Sequence, residues 1–321
     1  MTPAQLKKFI IAVFFSIAIT ANAQETSDND VEKSSNATVD GESKSELFLT
    51  IEEDSKVKVF RSGEKSPLFV YNAFADMRPY AHPIMSPDLK TVLTEIHPGH
   101  HKHQTGLYWG FKDINGIDYF HNPRVGIYGK KQYYKRNKLA IDNEASKKSW
   151  SLEYDLYDND DNAQMKEKQT WEIIDCKDHY LVDLVWEATA LTKLNFKQQK
   201  YGGLFLRMPW KKGIQGQATN SKGKTKKLDQ KRSNWIDVGM KIEDNTEQSH
   251  ITIIDNPENP GYPSHWRVDW QLGAGPSPSI TGSWQLEKGQ SITYKYRFLV
   301  YSGKTDKKLI EKYSSSSKVN E

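Results

Sequence analysis

The chain has 321 residues, 36% of them hydrophobic, and a formal net charge of +4. That length supplies ample core for one large domain or two small ones, and the single cysteine, Cys176, excludes an intrachain disulfide and a cysteine-rich metal site. The charge is modest, and no basic stripe interleaved with stacking aromatics sits on a recognisable module, which argues against nucleic-acid binding.

The first residues read as an export signal. Lys7 and Lys8 precede an apolar run from Phe9 to Ile19, and Ala21-Asn22-Ala23 supplies a small-x-small cleavage pattern. The run is short for a membrane span, and no later stretch reaches the length of one, so the alternative of a retained anchor is the weaker reading. The expectation is a signal peptide over 1–23 and a periplasmic or secreted mature protein beginning at Gln24. Residues 24–45 are rich in Ser, Asp, Glu, Asn and Lys and read as a flexible leader, because they cannot bury enough surface to offset their ordering entropy. One domain over 46–303 and a polar tail over 304–321 complete the expected organisation.

Period-two alternation dominates that domain. Trp150, Leu152, Tyr154 and Leu156 alternate with polar neighbours, as do Tyr180, Val182, Leu184 and Trp186. Ile292, Tyr294, Tyr296, Phe298 and Val300 form a third such face. These are half-buried strands, rich in aromatic and β-branched residues. Turn signals fall between them at Asp113–Gly116, Asp158–Asn162, Asp255–Gly261, Gly273–Pro278 and Gly289. Only Leu309–Tyr313 suggests a helix, a short one. There is no phosphate-cradling glycine loop, nucleophile elbow or His-Glu-x-x-His helix. The pattern predicts an all-β chain, a large antiparallel β-sandwich.

Chemistry concentrates in a few stretches. Arg78-Pro79-Tyr80-Ala81-His82-Pro83 is held extended by its prolines and presents Arg78, Tyr80 and His82 to a polar ligand or to a surface turn. His97-Pro-Gly-His-His-Lys-His-Gln-Thr-Gly-Leu-Tyr-Trp-Gly110 holds four of the nine histidines. In an extended segment His101 and His103 would share a face, where they could bind a divalent metal or move a substrate proton. Gln104 and Trp109 follow as candidates for orienting and stacking. Further along, Arg207 ends a glycine-led strand, Asn256 lies in a turn-rich loop, and His265-Trp266-Arg267 opens a strand with an indole suited to a sugar ring. The basic run from Lys222 to Arg232 reads as a solvated loop, with contact to an acidic polymer as the alternative. No carboxylate pair can be chosen from spacing alone.

Arg78–Pro83, His101–Gly110, Gly202-Gly203-Leu204 with Arg207, Asp255-Asn256-Pro257 with Asn259-Pro260, and Tyr296-Arg297-Phe298 with Gly303 occur together and in order. In these stretches the chain resembles the bacterial family named "methane oxygenase PmoA", although Lys102 and Thr105 stand where that family often has Pro and Arg. The name fits this sequence poorly, since the membrane copper enzyme it invokes needs several transmembrane helices. What the resemblance implies is an exported bacterial β-sandwich similar to galactose-mutarotase-like proteins, in which His, Arg and carboxylate groups on a concave sheet handle sugars. The expected function is therefore a carbohydrate-active enzyme using His101, His103, His82 and His265 for proton transfer. Arg78, Tyr80, Gln104, Trp109, Arg207, Asn256, Trp266 and Arg267 would bind a glycoside, oligosaccharide or modified sugar. The alternatives are a non-catalytic glycan-binding protein and a metal-dependent oxidoreductase.

Overall fold

The computed structural model describes residues 46–99, 101–121, 133–144, 147–243 and 245–315, with the backbone of 38–39 and 42–43. The signal peptide read at 1–23, nearly all of the leader at 24–45, His100 and residues 316–321 lie outside the described residues. Within these bounds the alternating segments all form strands. They assemble into two large antiparallel sheets packed as a sandwich.

The eight-stranded sheet runs, in spatial order, Gly216–Asn220, Trp235–Met240, Gln248–Asp255, Ser291–Gly303, His179–Ala190, Ala163–Asp175, Lys148–Tyr157 and Tyr134–Asp142. The nine-stranded sheet runs Lys231–Arg232, His265–Val268, Ala274–Pro276, Gly203–Leu206, Leu107–Gly110, Tyr80–Ile84, Phe69–Asn72, Lys56–Arg61 and Leu47–Glu52. A layer of aromatic rings joins them. Trp109 from the second sheet stacks on Trp186 from the first, centroids 4.4 Å apart. Trp150 and Trp171 pair directly across two strands with parallel rings at 5.8 Å, and Phe69 and Tyr71 pack onto them from the opposite sheet. Such rings contribute both buried area and specific stacking geometry.

The outer face of the eight-stranded sheet is partly occupied by the helix Lys307–Ser315. Ile310 and Tyr313 pack there with Leu181, Trp235, Ile254, Leu299 and Tyr301. The stretch read as a polar tail thus carries one amphipathic turn pattern that docks. Among the described residues, no helix is long and apolar enough to cross a membrane.

A carboxyl group, that of Glu167, sits inside the sandwich. Strand alternation points Glu167 and Gln169 inward, where Gln169 Nε2 donates to Glu167 Oε1 at 2.6 Å and Gln169 Oε1 accepts from Tyr71 and Trp171. Burial raises the Glu167 carboxyl to about 7, outweighing its hydrogen bond and the more distant Arg78. A carboxyl raised in the folded state binds a proton there that the unfolded chain has already released, so stability falls as pH rises from about 4.5 to about 7 and then levels. Glu167→Gln should abolish this decline and stabilise the protein at pH above 7 by on the order of 3 kcal/mol, read from urea melts at several pH values.

Candidate functional site

The outer face of the nine-stranded sheet carries the chemistry. Register places Tyr80 beside Tyr108 and Tyr108 beside Phe205, so these three rings form a row across adjacent strands. Phe120 closes over the row, 5.2 Å from Tyr108 and 5.8 Å from Phe205, and Tyr201 lies 5.1 Å from Phe120. Arg78 is 2% exposed, and its guanidinium lies 3.7 Å over the Tyr108 ring. Its nitrogens donate to the carbonyls of Phe120 and His103 and to Thr105 Oγ1.

Three imidazoles gather on this floor. His101 and His103 do not lie in an extended strand; they flank a tight turn in which His101 N–H donates to the Pro98 carbonyl and Gln104 N–H to that of His101. Their rings still meet edge to face at 5.7 Å. The third ring, His121, sits 4.1 Å from His103 and 5.6 Å from Tyr201. Its position follows from Asp118, whose Oδ1 accepts the backbone N–H groups of Phe120 and His121 and so builds the turn that delivers the ring. His121 Nδ1 donates back to Asp118 Oδ2 at 3.0 Å, and Lys112 bonds the same oxygen. Burial would raise the Asp118 carboxyl, but the hydrogen bonds from His121 and Lys112 together hold it well below the usual carboxylate range. Burial pulls His103 down to about 2, helped by His121, Arg78 and His101, so its ring is neutral.

The His–Asp pair was not among the residues anticipated from the sequence. The signal was present as Asp118-x-x-His121 after a glycine turn, but nothing in the spacing tied it to His103, which is brought there by tertiary folding. Also unforeseen is Trp270, 71% exposed and edge-on to Trp210 at 5.0 Å. It is flanked by Asp269, whose charge acts on the Tyr108 phenol, and by Gln271, which accepts from Arg207 at 3.1 Å.

Of the anticipated residues, Arg78, Tyr80, His101 and His103 come together here, the first two as buried support. Arg207 is buried between Glu95 and Gln271. Arg267 pairs with Asp229 at 2.7 Å and acts on Tyr201. His82 shares this face but bonds Thr94, and burial and then His97 bring it to about 4. It lies opposite Gly106, whose φ is +74° and whose Cβ would stand 2.3 Å from the Ala81 carbonyl oxygen, so only glycine fits. The Gln104 side chain is buried with Oε1 unpartnered.

Four expectations are corrected. Trp109, 2% exposed, is core packing between the sheets and presents no stacking face. Trp266 is fully buried, its indole donating to the Ser233 carbonyl, because it occupies the inward register of its strand. Asn256 is buried and caps its own loop by accepting from Glu258 N–H. His265 stays apart: its charged neighbours are Arg232 and Lys231, whereas those of His103 are His121, Arg78, His101 and Asp118. As for metal, among the described residues no three His, Cys, Asp or Glu side chains are arranged to hold an ion.

A family model described as a family of unknown function, DUF6807, matches residues 56–315. The chain belongs to the DUF6807 family. That match takes in both sheets except the outermost strand, and every residue of the His–Asp cluster. No curated protein matches this DUF6807 chain. Among solved structures it is similar to galactose 1-epimerase from Lactobacillus acidophilus NCFM, with TM-score 0.36 and 8% identity over 81% of this chain and 99% of that one. It is also similar to the GH36 α-galactosidase AgaA from Geobacillus stearothermophilus (TM-score 0.36, 10% identity, 80% and 40% covered). A further likeness is to the galactosidase domain of the α-galactosidase-sucrose kinase AgaSK (0.34, 10%, 81% and 41%). The DUF6807 chain therefore spans about two fifths of the two galactosidases.

Arg78 is the tie between the two histidine-bearing segments. Arg78→Lys loses the fork that reaches two carbonyls and Thr105 at once, and should lower stability by on the order of 3 kcal/mol. Urea melts measure the loss, and imidazole NMR resonances of His103 and His121 should move with it.

Proposed function

We propose that this chain acts on a carbohydrate at the His101–His103–His121 cluster, by proton transfer at a glycoside, oligosaccharide or modified sugar. The observation that carries the reading is the Asp118–His121 pair set against His103. Asp118 offers acceptors only, so Nδ1 carries the proton of that contact, and in the ring's neutral form Nε2 keeps a lone pair. That is the arrangement of a general base oriented by a carboxylate. His103 has too little proton affinity to share the role at neutral pH, and a neutral imidazole beside the base suits it to hydrogen-bonding a substrate hydroxyl. Tyr201, half-buried beside His121, and Arg267 supply an apolar face and a charged edge, the mixture that sugar rings recognise. This reading includes export ahead of action, on the strength of Lys7-Lys8, the apolar run to Ile19 and Ala21-Asn22-Ala23.

A second reading, a glycan-binding protein without turnover, is favoured by one observation: the exposed Trp270 beside Trp210 is a ready stacking platform. A glycan panel separates the two. With an enzyme, His121→Gln and Asp118→Asn should each reduce kcat by about a hundredfold or more while circular dichroism stays unchanged. Binding without product over long incubation would favour the binder, and full turnover in both variants would remove the His–Asp assignment.

A further inference from the structure

The basic run that ends at Arg232 leads to a second hollow. Lys231 and Arg232 form a short strand paired with Trp266 and His265, and this brings Arg232 to the rim of a cleft of about 330 Å³. Its walls are of mixed polarity: hydroxyls from Ser264 and Ser277, the imidazole of His265, the indole of Trp284 and the phenol of Tyr294. None of these belongs to the His–Asp cluster.

Two side chains lining it are poised for a ligand. Ser277 is 2% exposed, and its Oγ has no hydrogen-bond partner, an expensive state for a buried hydroxyl whose backbone is already tied to His265. Arg232 donates to the Gly261 carbonyl at 3.1 Å, and among the described residues it has no carboxylate partner. The acidic groups nearby are engaged elsewhere. Asp229 pairs with Arg267, Glu258 with Lys295, and Asp255 accepts from Asn259 and from Ser264 N–H. The rim is therefore cationic and the interior hydroxylated. Trp284 stacks on Phe196 at 3.6 Å, which holds its indole rigid against the cleft.

We propose that this cleft binds a saccharide residue bearing an acidic group, a carboxylate or a sulfate, independently of the His–Asp cluster. Arg232 takes the anion, Ser277 Oγ a ring hydroxyl, and the half-buried Trp284 indole the apolar face of the ring. Lys222, Lys224, Lys226 and Lys227, in the same basic run, extend the positive field that such a ligand would follow.

Calorimetry on the full chain with glucuronate, a sulfated glucose, glucose and inorganic sulfate tests this. At least one acidic sugar should bind at least about tenfold more tightly than glucose or sulfate ion. Arg232→Gln, a change at an exposed position, should erase that preference. Ser277→Ala should weaken the acidic sugar by about threefold to tenfold without lowering the melting temperature, since Oγ holds nothing in the protein. The same affinity in His121→Gln shows that the cleft is a separate site. Equal binding by Arg232→Gln and the parent, glucose or sulfate ion bound as tightly as both acidic sugars, or no binding of either acidic sugar would overturn the proposal.

Discussion

A buried guanidinium organises the outer face of the nine-stranded sheet. Among the described residues Arg78 forms no ion pair with a carboxylate; its charge is spread over the Tyr108 ring and the carbonyls of His103 and Phe120. Desolvating a cation in this way is costly unless its donors are used; here the two Nη groups reach two chain segments at once, while Nε is buried without a partner. One segment carries His101 and His103, the other Asp118 and His121. One side chain thus ties together, through their backbone carbonyls, the two segments that carry the imidazoles. The same positive charge helps to keep His103 neutral, so the clamp shapes both the position and the protonation of the site.

The sandwich itself was legible. Trp150, Trp171, Trp186, Tyr294 and Tyr296 recur at period two, and a strand has one way to satisfy that pattern with an apolar partner sheet. What alternation alone left open was which tryptophans look inward. Trp109 follows the histidine-rich stretch and Trp266 stands between His265 and Arg267, yet register turns both into the core, while Trp270, in a loop with no periodicity, is the exposed one. The site was half legible for a similar reason. Arg78, His101 and His103 are close in sequence and in space, but Asp118 and His121 join them only through the folding of the intervening strand and turn. Likewise His265 was grouped with the other histidines by residue type, and the strands Ala274–Pro276 and Gly203–Leu206 lie between its strand and Leu107–Gly110, which follows the His101–His103 turn.

The two sheets divide their labour by their outer faces. On the eight-stranded sheet the face is partly closed by the C-terminal helix, and its polar residues there are bound up internally: Asp237 accepts from Thr252 and Tyr301 and meets His250 at 2.9 Å. On the nine-stranded sheet the face is opened by glycines. Gly106 lets His82 and Arg207 flank a bare backbone, and at Gly275 a Cβ would lie 1.9 Å from the Leu204 carbonyl oxygen. Close strand approach without side chains leaves room above the sheet, and ionisable groups from loops occupy it.

The nine indoles are sorted by the fold in a way that has an optical consequence. Trp109, Trp150, Trp171, Trp186, Trp235 and Trp266 are buried, Trp210 and Trp284 are half-buried, and only Trp270 stands largely in water. A small aqueous quencher thus reaches the emission of Trp270 and its neighbour Trp210 against a background of shielded interior rings. The molecule carries its own fluorescent reporter at the lip beside Arg207 and Gln271, and a second, partly shielded one, Trp284, in the cleft rimmed by Arg232.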